Sequence, residues 1–210
     1  GVASLITLPN APLPMDPPNL AQTTKTRIMF RWSETSFSEY PVLYRVQISK
    51  DKEFTSVFYE SAAVTGDQWL IPENILTRHQ TYFWRVRGET SIGNTSWSKP
   101  YEFSIVTIIQ MKINQPQLQI NGEVFNLDKD PKVVPIIKDN RTFLPIRIII
   151  ETWQGNIEWN NVLKQVTITV DQNKISLTIQ KSEAMVNGKT KNIDENKQVV
   201  PFILNGRTID

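Results

Sequence analysis

The chain has 210 residues, with 23 Lys and Arg against 21 Asp and Glu, a formal net charge of +2 and no cysteine. That composition excludes disulfides, thiolate nucleophiles and Cys-based zinc sites, and without a dense Lys/Arg field it argues against nucleic acid as a partner. No stretch reaches the roughly 18 consecutive apolar residues of a membrane helix.

In chain order, the crowding of Pro, Asn and Thr in "ITLPNAPLPMDPPNLAQTTKT" predicts an extended lead-in followed by an edge strand. The first residue is Gly1, with neither the basic start nor the apolar run of a signal peptide after it, which reads as an excised fragment. Ile28, Phe30 and Trp32 share one face of "RIMFRW", and Tyr44, Val46 and Ile48 one face of "YRVQIS". Tyr82, Trp84 and Val86 repeat the alternation, with Arg85 and Arg87 on the opposite side. Turn-rich segments such as "SETSFSEYP", "TGDQ" and "SIGNTS" separate these short strands, so residues 1–106 read as an antiparallel β-sandwich.

Trp69, Trp84 and Trp97 admit two readings. They are stacking platforms for sugar, or Trp84 is core while Trp69 and Trp97 pack on strand edges and arginine stems. The alternation of Trp84 with Arg85 and Arg87 favours the second.

Trp32 on the second strand, "YRVQIS" on the third, "LTRHQTYFWRVRG" over residues 76–88 and the closing "SWSKPYEFSI" resemble a bacterial fibronectin type III domain over about residues 15–106. The resemblance implies an all-β immunoglobulin-like sandwich used as a spacer. It also implies a tyrosine corner between Leu76 and Tyr82, with the ring buried and the hydroxyl bonded to nearby backbone. The Arg-Gly-Asp tripeptide is missing, so no integrin-type adhesion carries over.

Residues 107–112 change texture and read as a linker to a second domain, 113–210. Asn121-Gly122 and Asn187-Gly188 each sit between alternating arms, the strongest short hairpin signal because both residues tolerate positive φ. A helix is predicted from about Leu144 to Gln154, with Thr142 as its cap, Pro145 in its first turn and Gly155 as its left-handed terminator. Ile146, Ile149, Ile150 and Trp153 form its apolar stripe, and Arg147 stands one turn before Glu151. The isoleucine-rich run has poor helix propensity, which leaves a strand as the alternative. Ile157 and Trp159, then Val166, Ile168 and Val170, then Ile175, Leu177 and Ile179 alternate as strands, the last two joined by "DQNK". One helix on a several-stranded antiparallel sheet would bury these faces together, an α+β arrangement.

The phrase "VPIIKDNRTFLPIR", residues 134–147, returns as "VPFILNGRTID", residues 200–210. Val134, Pro135, Ile137, Arg141 and Thr142 recur at one constant offset as Val200, Pro201, Ile203, Arg207 and Thr208. The same offset carries Ile120-Asn121-Gly122 onto Val186-Asn187-Gly188 and Asp128 onto Asp194, so two copies of one supersecondary unit are expected. Arg141 and Arg207 read as bracketing a turn, each guanidinium bonding exposed carbonyls or an acidic partner, with Thr142 and Thr208 fixing the turn. Ligand recognition by the two arginines is the alternative.

"NRTFLPIR", the helix ending in "WQG", the "IEWNN" turn, the "VTI" strand and the "VNGK" hairpin resemble the copper amine oxidase N-terminal, or stalk, domain over about residues 113–210. The sequence departs from the family's usual phrase at Asn140 and Ile146, and its second copy stops where a further helix would begin. The resemblance implies a non-catalytic module of secreted or cell-surface proteins of anaerobic Gram-positive bacteria. Its expected partners are other domains of the same parent protein or cell-envelope proteins.

His79 is the sole histidine, too little for a type-two copper site or a convincing Ser-His-acid system. The pairs Asp128/Asp130 and Asp171/Glu183 carry no signal tying them to a cleft, and no Gly-rich phosphate loop exists. The expectation is therefore a scaffold or spacer without catalytic residues, metal or cofactor. Its structural or interaction positions are Trp32, Tyr82, Trp84, Trp97, Arg141, Thr142, Trp153, Trp159, Arg207 and Thr208. A carbohydrate- or cell-wall-binding accessory module is the alternative, resting on the tryptophans. The strand-like ending without a covering helix also predicts weak homodimerisation through the second domain.

Overall fold

The computed structural model describes residues 8–35, 40–204 and 207–209. The chain divides into two units, Gly1–Thr107 and Ile108–Asp210. No helix among the described residues is long and apolar enough to cross a membrane.

The strands of the first unit are β1 (Pro14–Asp16), β2 (Ala21–Thr23), β3 (Met29–Trp32), β4 (Leu43–Ser49), β5 (Val57–Glu60), β6 (Gln68–Leu70), β7 (Gln80–Thr90), β8 (Gly93–Asn94) and β9 (Tyr101–Ile105). One sheet runs β1-β3-β6 and the other β2-β9-β7-β4-β5, with β8 hairpinned onto β7. All pairings are antiparallel except β2 on β9, giving the immunoglobulin-like sandwich expected. Period-two alternation puts Phe30 and Trp32 of β3, Val46 and Ile48 of β4, and Tyr82, Trp84 and Val86 of β7 into one core. The register stacks Val46 beside Val86 and Ile48 beside Trp84, so cross-strand pairs add to burial. The Trp84 ring meets Phe30 edge-on at 5.0 Å and its indole N–H donates to the Pro17 carbonyl at 3.2 Å. Trp32 is also buried, against Tyr44, and its Nε1 has no acceptor among the described residues.

The second unit contains β10 (Ile109–Met111), β11 (Gln117–Ile120), β12 (Glu123–Asn126), β13 (Ile136–Lys138), β14 (Arg141–Phe143), α1 (Ile146–Thr152), β15 (Asn156–Asn160), β16 (Gln165–Val170), β17 (Asn173–Thr178), β18 (Glu183–Val186), β19 (Lys189–Asn192), β20 (Phe202–Leu204) and β21 (Arg207–Ile209). Its sheets are β10-β11-β12, the five-stranded β15-β16-β17-β18-β19, and the hairpins β13-β14 and β20-β21. The repeat seen in the sequence is a repeat of structure. At the same offset, β11 matches β18, β12 matches β19, β13 matches β20 and β14 matches β21. Loop bonds recur as well: Asn114 N–H to the Pro135 carbonyl becomes Gln180 to Pro201, and Leu127 to Pro116 becomes Ile193 to Ser182. Asn121-Gly122 and Asn187-Gly188 take φ of 53° and 89°, and 50° and 78°, the left-handed pair that a two-residue hairpin requires.

Three details depart from the sequence reading. The segment 107–112 is not only a linker, because β10 lies in it and pairs Ile109 with Ile120 and Met111 with Leu118. Helix α1 is shorter than expected, and Thr142 does not cap it. Thr142 is paired with Ile137 in the β13–β14 hairpin, and Pro145 takes the cap position without a side-chain bond. Of the expected apolar stripe only Ile150 is buried; with Ile146 it packs on Val166, Ile168, Leu177 and Ala184, while Trp153 is exposed.

The helix terminus is the third departure. Gln154, not Gly155, holds the left-handed conformation, at φ 58°. Its N–H donates to the Glu151 carbonyl and that of Gly155 to the Ile150 carbonyl, the paired bonds of a Schellman motif. Gly155 is needed for space, since a Cβ there would lie 2.7 Å from Val170 Cγ2 and 2.8 Å from both Ile150 Cγ2 and the Thr169 carbonyl oxygen. The two residues therefore respond oppositely to substitution. Gly155→Ala is expected to destabilise by about 1–3 kcal/mol through overpacking, whereas Gln154→Gly is expected to stabilise by up to about 1 kcal/mol by relieving positive φ. Denaturant unfolding of both variants checks the signs, and destabilisation by Gln154→Gly would contradict this account of the terminus.

Candidate functional site

The polar face of the first sandwich carries a ladder of stacked cations and rings. It exists because β7 alternates, placing Trp84 inward and Arg85 and Arg87 outward. The strand β9 reaches β7 only as far as Trp84, opposite Tyr101. Beyond that point, Thr95 and Ser98 take over the pairing. The N–H groups of Val86 and Gly88 donate to Ser98 Oγ and Thr95 Oγ1, each at 3.0 Å, and the N–H groups of Ser98 and Thr95 donate back to the same two residues' carbonyls. This stapling holds Trp97 against the guanidiniums of Arg85 and Arg87, 4.7 and 4.6 Å from its ring centre. Phe54 lies on Arg85 at 4.1 Å, so one ring follows another with a cation between.

The ladder ends in an ion-pair group. Arg87 donates to Glu89 Oε1 at 2.7 Å, and Arg45 grips the same carboxylate with two bonds, at 2.8 and 3.0 Å. Hydrogen bonds from Arg45 first, and then from Arg87, hold the Glu89 carboxyl below the usual carboxylate range against the opposing effect of burial. Burial, with Arg87 adding to it, pushes the Arg85 guanidinium down.

Tyr82 is fully buried, and its hydroxyl accepts the Thr77 N–H at 3.0 Å while sharing a second bond with Thr77 Oγ1. That is the corner implied by the spacing of Leu76 and Tyr82. Trp69 is stacked between Phe30 and Tyr59. His79 joins Thr107 Oγ1 through Nε2 at 2.9 Å.

In the second unit the arginine of the repeated phrase has a specific partner. Asp139 and Asn140, at φ 51° and 57°, form the left-handed turn between β13 and β14, a conformation that Asp and Asn tolerate. The turn lifts Arg141 toward Asp194, to which Nε and Nη2 donate at 2.9 and 3.3 Å. Asp194 also accepts the Asn196 N–H, and Arg141 first, then that N–H, hold its carboxyl below the usual range. The pair thus joins the first copy to the turn of the second. Its counterpart under the repeat is Arg207 with Asp128; the side chains of Arg207 and Thr208 lie outside the described residues. Phe143 meets Phe202 edge-on at 5.1 Å, and Lys138 lies over Phe202 at 4.7 Å. Thr142 is exposed, and Trp153 and Trp159 stand partly open to solvent at the end of α1 and on β15.

The structure does not gather the predicted positions into one site. Trp32, Tyr82 and Trp84 are core, Trp97 packs on two arginines, and Arg141 is a clamp. Sequence reasoning missed Glu89, Arg45, Phe54 and Asp194 as their partners, and it missed Thr95 and Ser98 as staples. The "TSWS" spacing at residues 95–98 was the available signal. No group of three or more His, Cys, Asp or Glu positioned for a metal occurs among the described residues.

Residues 129–209 match the family model described as the copper amine oxidase N-terminal domain, and no curated protein matches the chain. Among solved structures, an α-L-rhamnosidase of Streptomyces avermitilis is similar at 17% identity and TM-score 0.35, over 48% of this chain and 11% of that one. An α-L-rhamnosidase from Dictyoglumus thermophilum is similar at 19% and 0.37, over 49% and 14%. The FN1–FN3 domains of chicken CNTN1 are similar at 10% and 0.35, over 86% and 62%. The chain thus spans a small part of either rhamnosidase, and at these scores the likenesses add nothing to the fold that the strand pairings establish.

Two expectations follow from the geometry. Tyr82→Phe strands the Thr77 N–H in a partly buried position and should cost about 1–3 kcal/mol in chemical unfolding; a cost near zero would remove the corner as a stabilising element. The second concerns acid. Because the folded Glu89 carboxyl titrates below its unfolded value, its contribution is present above the ordinary carboxylate range and is lost as pH falls through the folded value. Glu89→Gln should therefore flatten the acid limb of the stability–pH curve, and an unchanged limb would contradict the ion-pair assignment.

Proposed function

We propose that this chain is a non-catalytic scaffold or spacer segment of a secreted or cell-envelope bacterial protein, holding neighbouring domains of its parent at a set separation. The observation that carries this reading is where the chemistry-bearing side chains are used. Trp97, Arg85 and Arg87 satisfy one another within the sandwich, and Arg141 locks one half of the second unit to the other through Asp194. Such contacts stiffen a module rather than present it. The match of residues 129–209 to a domain known by its place at the N-terminal end of a larger oxidase supports the same reading. Partners on this view are the other domains of the same protein or envelope components, and a second copy of the chain through the second unit is a further candidate.

The test places a donor and an acceptor dye at the two ends of each unit in turn, within the intact chain. The expected result is a narrow single-molecule transfer distribution, unchanged by salt. A distribution as broad as that of a Gly/Ser linker of equal length would reject the spacer.

A further inference from the structure

The second unit holds a cleft of about 360 Å³ between the start of α1, the β15–β16 hairpin and the loop after β12, a size at the lower end for small-ligand sites. Its floor is apolar, built from the buried side chains of Leu127, Val133 and Val166. Trp159 lines one side, and no hydrogen-bond acceptor for its indole N–H occurs among the described residues, in contrast to Trp84. Arg147 and Lys164 line the cleft as well. Neither cation is tightly held, since Arg147 reaches Glu151 only at 3.7 Å with both side chains about half exposed, and Lys164 Nζ donates to the neutral Asn161 amide oxygen at 2.8 Å.

The hairpin tip that bears these groups is preformed. Asn160 Oδ1 accepts the N–H groups of both Val162 and Leu163 at 3.0 Å, and Lys164 sits at φ 50°. The same turn turns Val162 out to 90% exposure.

We infer that this cleft binds a uronate residue of an acidic polysaccharide. A pyranose ring offers an apolar C–H face for the indole, its carboxylate suits the two cations, and its hydroxyls suit the Asn161 amide. A simple aliphatic acid would leave the polar rim unused, and an extended acidic peptide would ask for a longer groove. The inference goes beyond the spacer reading and stands or falls apart from it, because a spacer with this cleft would also rest on the polysaccharide it crosses.

The test titrates oligogalacturonate and oligoglucuronate into the intact, nitrogen-15-labelled chain, with the methyl-esterified oligogalacturonate and a Glu-rich peptide as comparisons. Saturable shifts are expected at the Trp159 indole N–H and at the backbone of residues 161–164, with the ester binding about tenfold more weakly for want of a charge-assisted bond. The double variant Arg147→Gln/Lys164→Gln should lose a similar factor at unchanged melting temperature, since both side chains are exposed and contribute little to folding. Shifts centred elsewhere, equal binding of acid and ester, equal binding of the peptide, or no saturable shift with either uronate up to millimolar sugar would each overturn the assignment.

Discussion

Every backbone N–H removed from water needs a partner, and the ways in which the two units meet that demand determine what their side chains are left to do. In the first unit, β7 is longer than the strand beside it, so the N–H groups of Val86 and Gly88 run past the end of β9. Two hydroxyls on the segment before β9 accept them. The side chain lying between those hydroxyls in the chain is Trp97, and the strand periodicity that buried Trp84 has already put Arg85 and Arg87 on the face that it meets. The ladder follows from a pairing requirement, and it uses up the aromatic residue that otherwise looked most like a platform.

The second unit meets the same demand with turns. A two-residue connection between antiparallel strands must bend with their right-handed twist, which requires positive φ. Asn121-Gly122, Asn187-Gly188 and Asp139-Asn140 all comply. With the turns fixed, the registers are fixed, and β11–β12 and β18–β19 repeat residue for residue. Arg141 is then presented from a rigid hairpin, so its two bonds to Asp194 lose less side-chain freedom than those of an arginine on a mobile loop. The pair remains largely exposed and its net contribution is modest. Its value lies in selecting which hairpin meets which turn.

The parts legible in the sequence were those with a short-range cause. Alternation around Trp84 gave the sandwich core, the Asn-Gly pairs gave the hairpins, and the spacing of Leu76 and Tyr82 located the corner. The repeated phrase announced the repeat, although not that its loops would reproduce the same backbone bonds. Illegible were the features set by distant chain. Nothing local to Arg141 points to Asp194, and nothing local to Trp97 points to Phe54 as the far end of its stack. Gly155 was placed correctly at a helix end but for a conformational reason, when the actual need is steric and comes from Val170, on a strand that sequence reasoning could not bring beside it. Thr142 stands where a helix cap would be expected, but pairing with Ile137 has the stronger claim on its backbone.

The same distinction separates the tryptophans by what they can still do. Trp84 has an acceptor for its indole N–H and packs on Phe30 and Tyr101, and Trp97 lies against two cations, so a ligand at either would have to displace contacts that stabilise the sandwich. Trp32 is sealed from solvent, with no acceptor for its N–H among the described residues. Trp159 differs on every count: it lies on the outer strand of its sheet, it is partly exposed, and its neighbours across the cleft are cations whose existing partners are distant or neutral. A side chain enclosed by its own neighbours contributes rigidity, and one left open beside preorganised polar groups is where binding costs least. On that criterion the chain keeps its first unit and the Arg141 hairpin for holding shape, and leaves the tip of the β15–β16 hairpin for recognition.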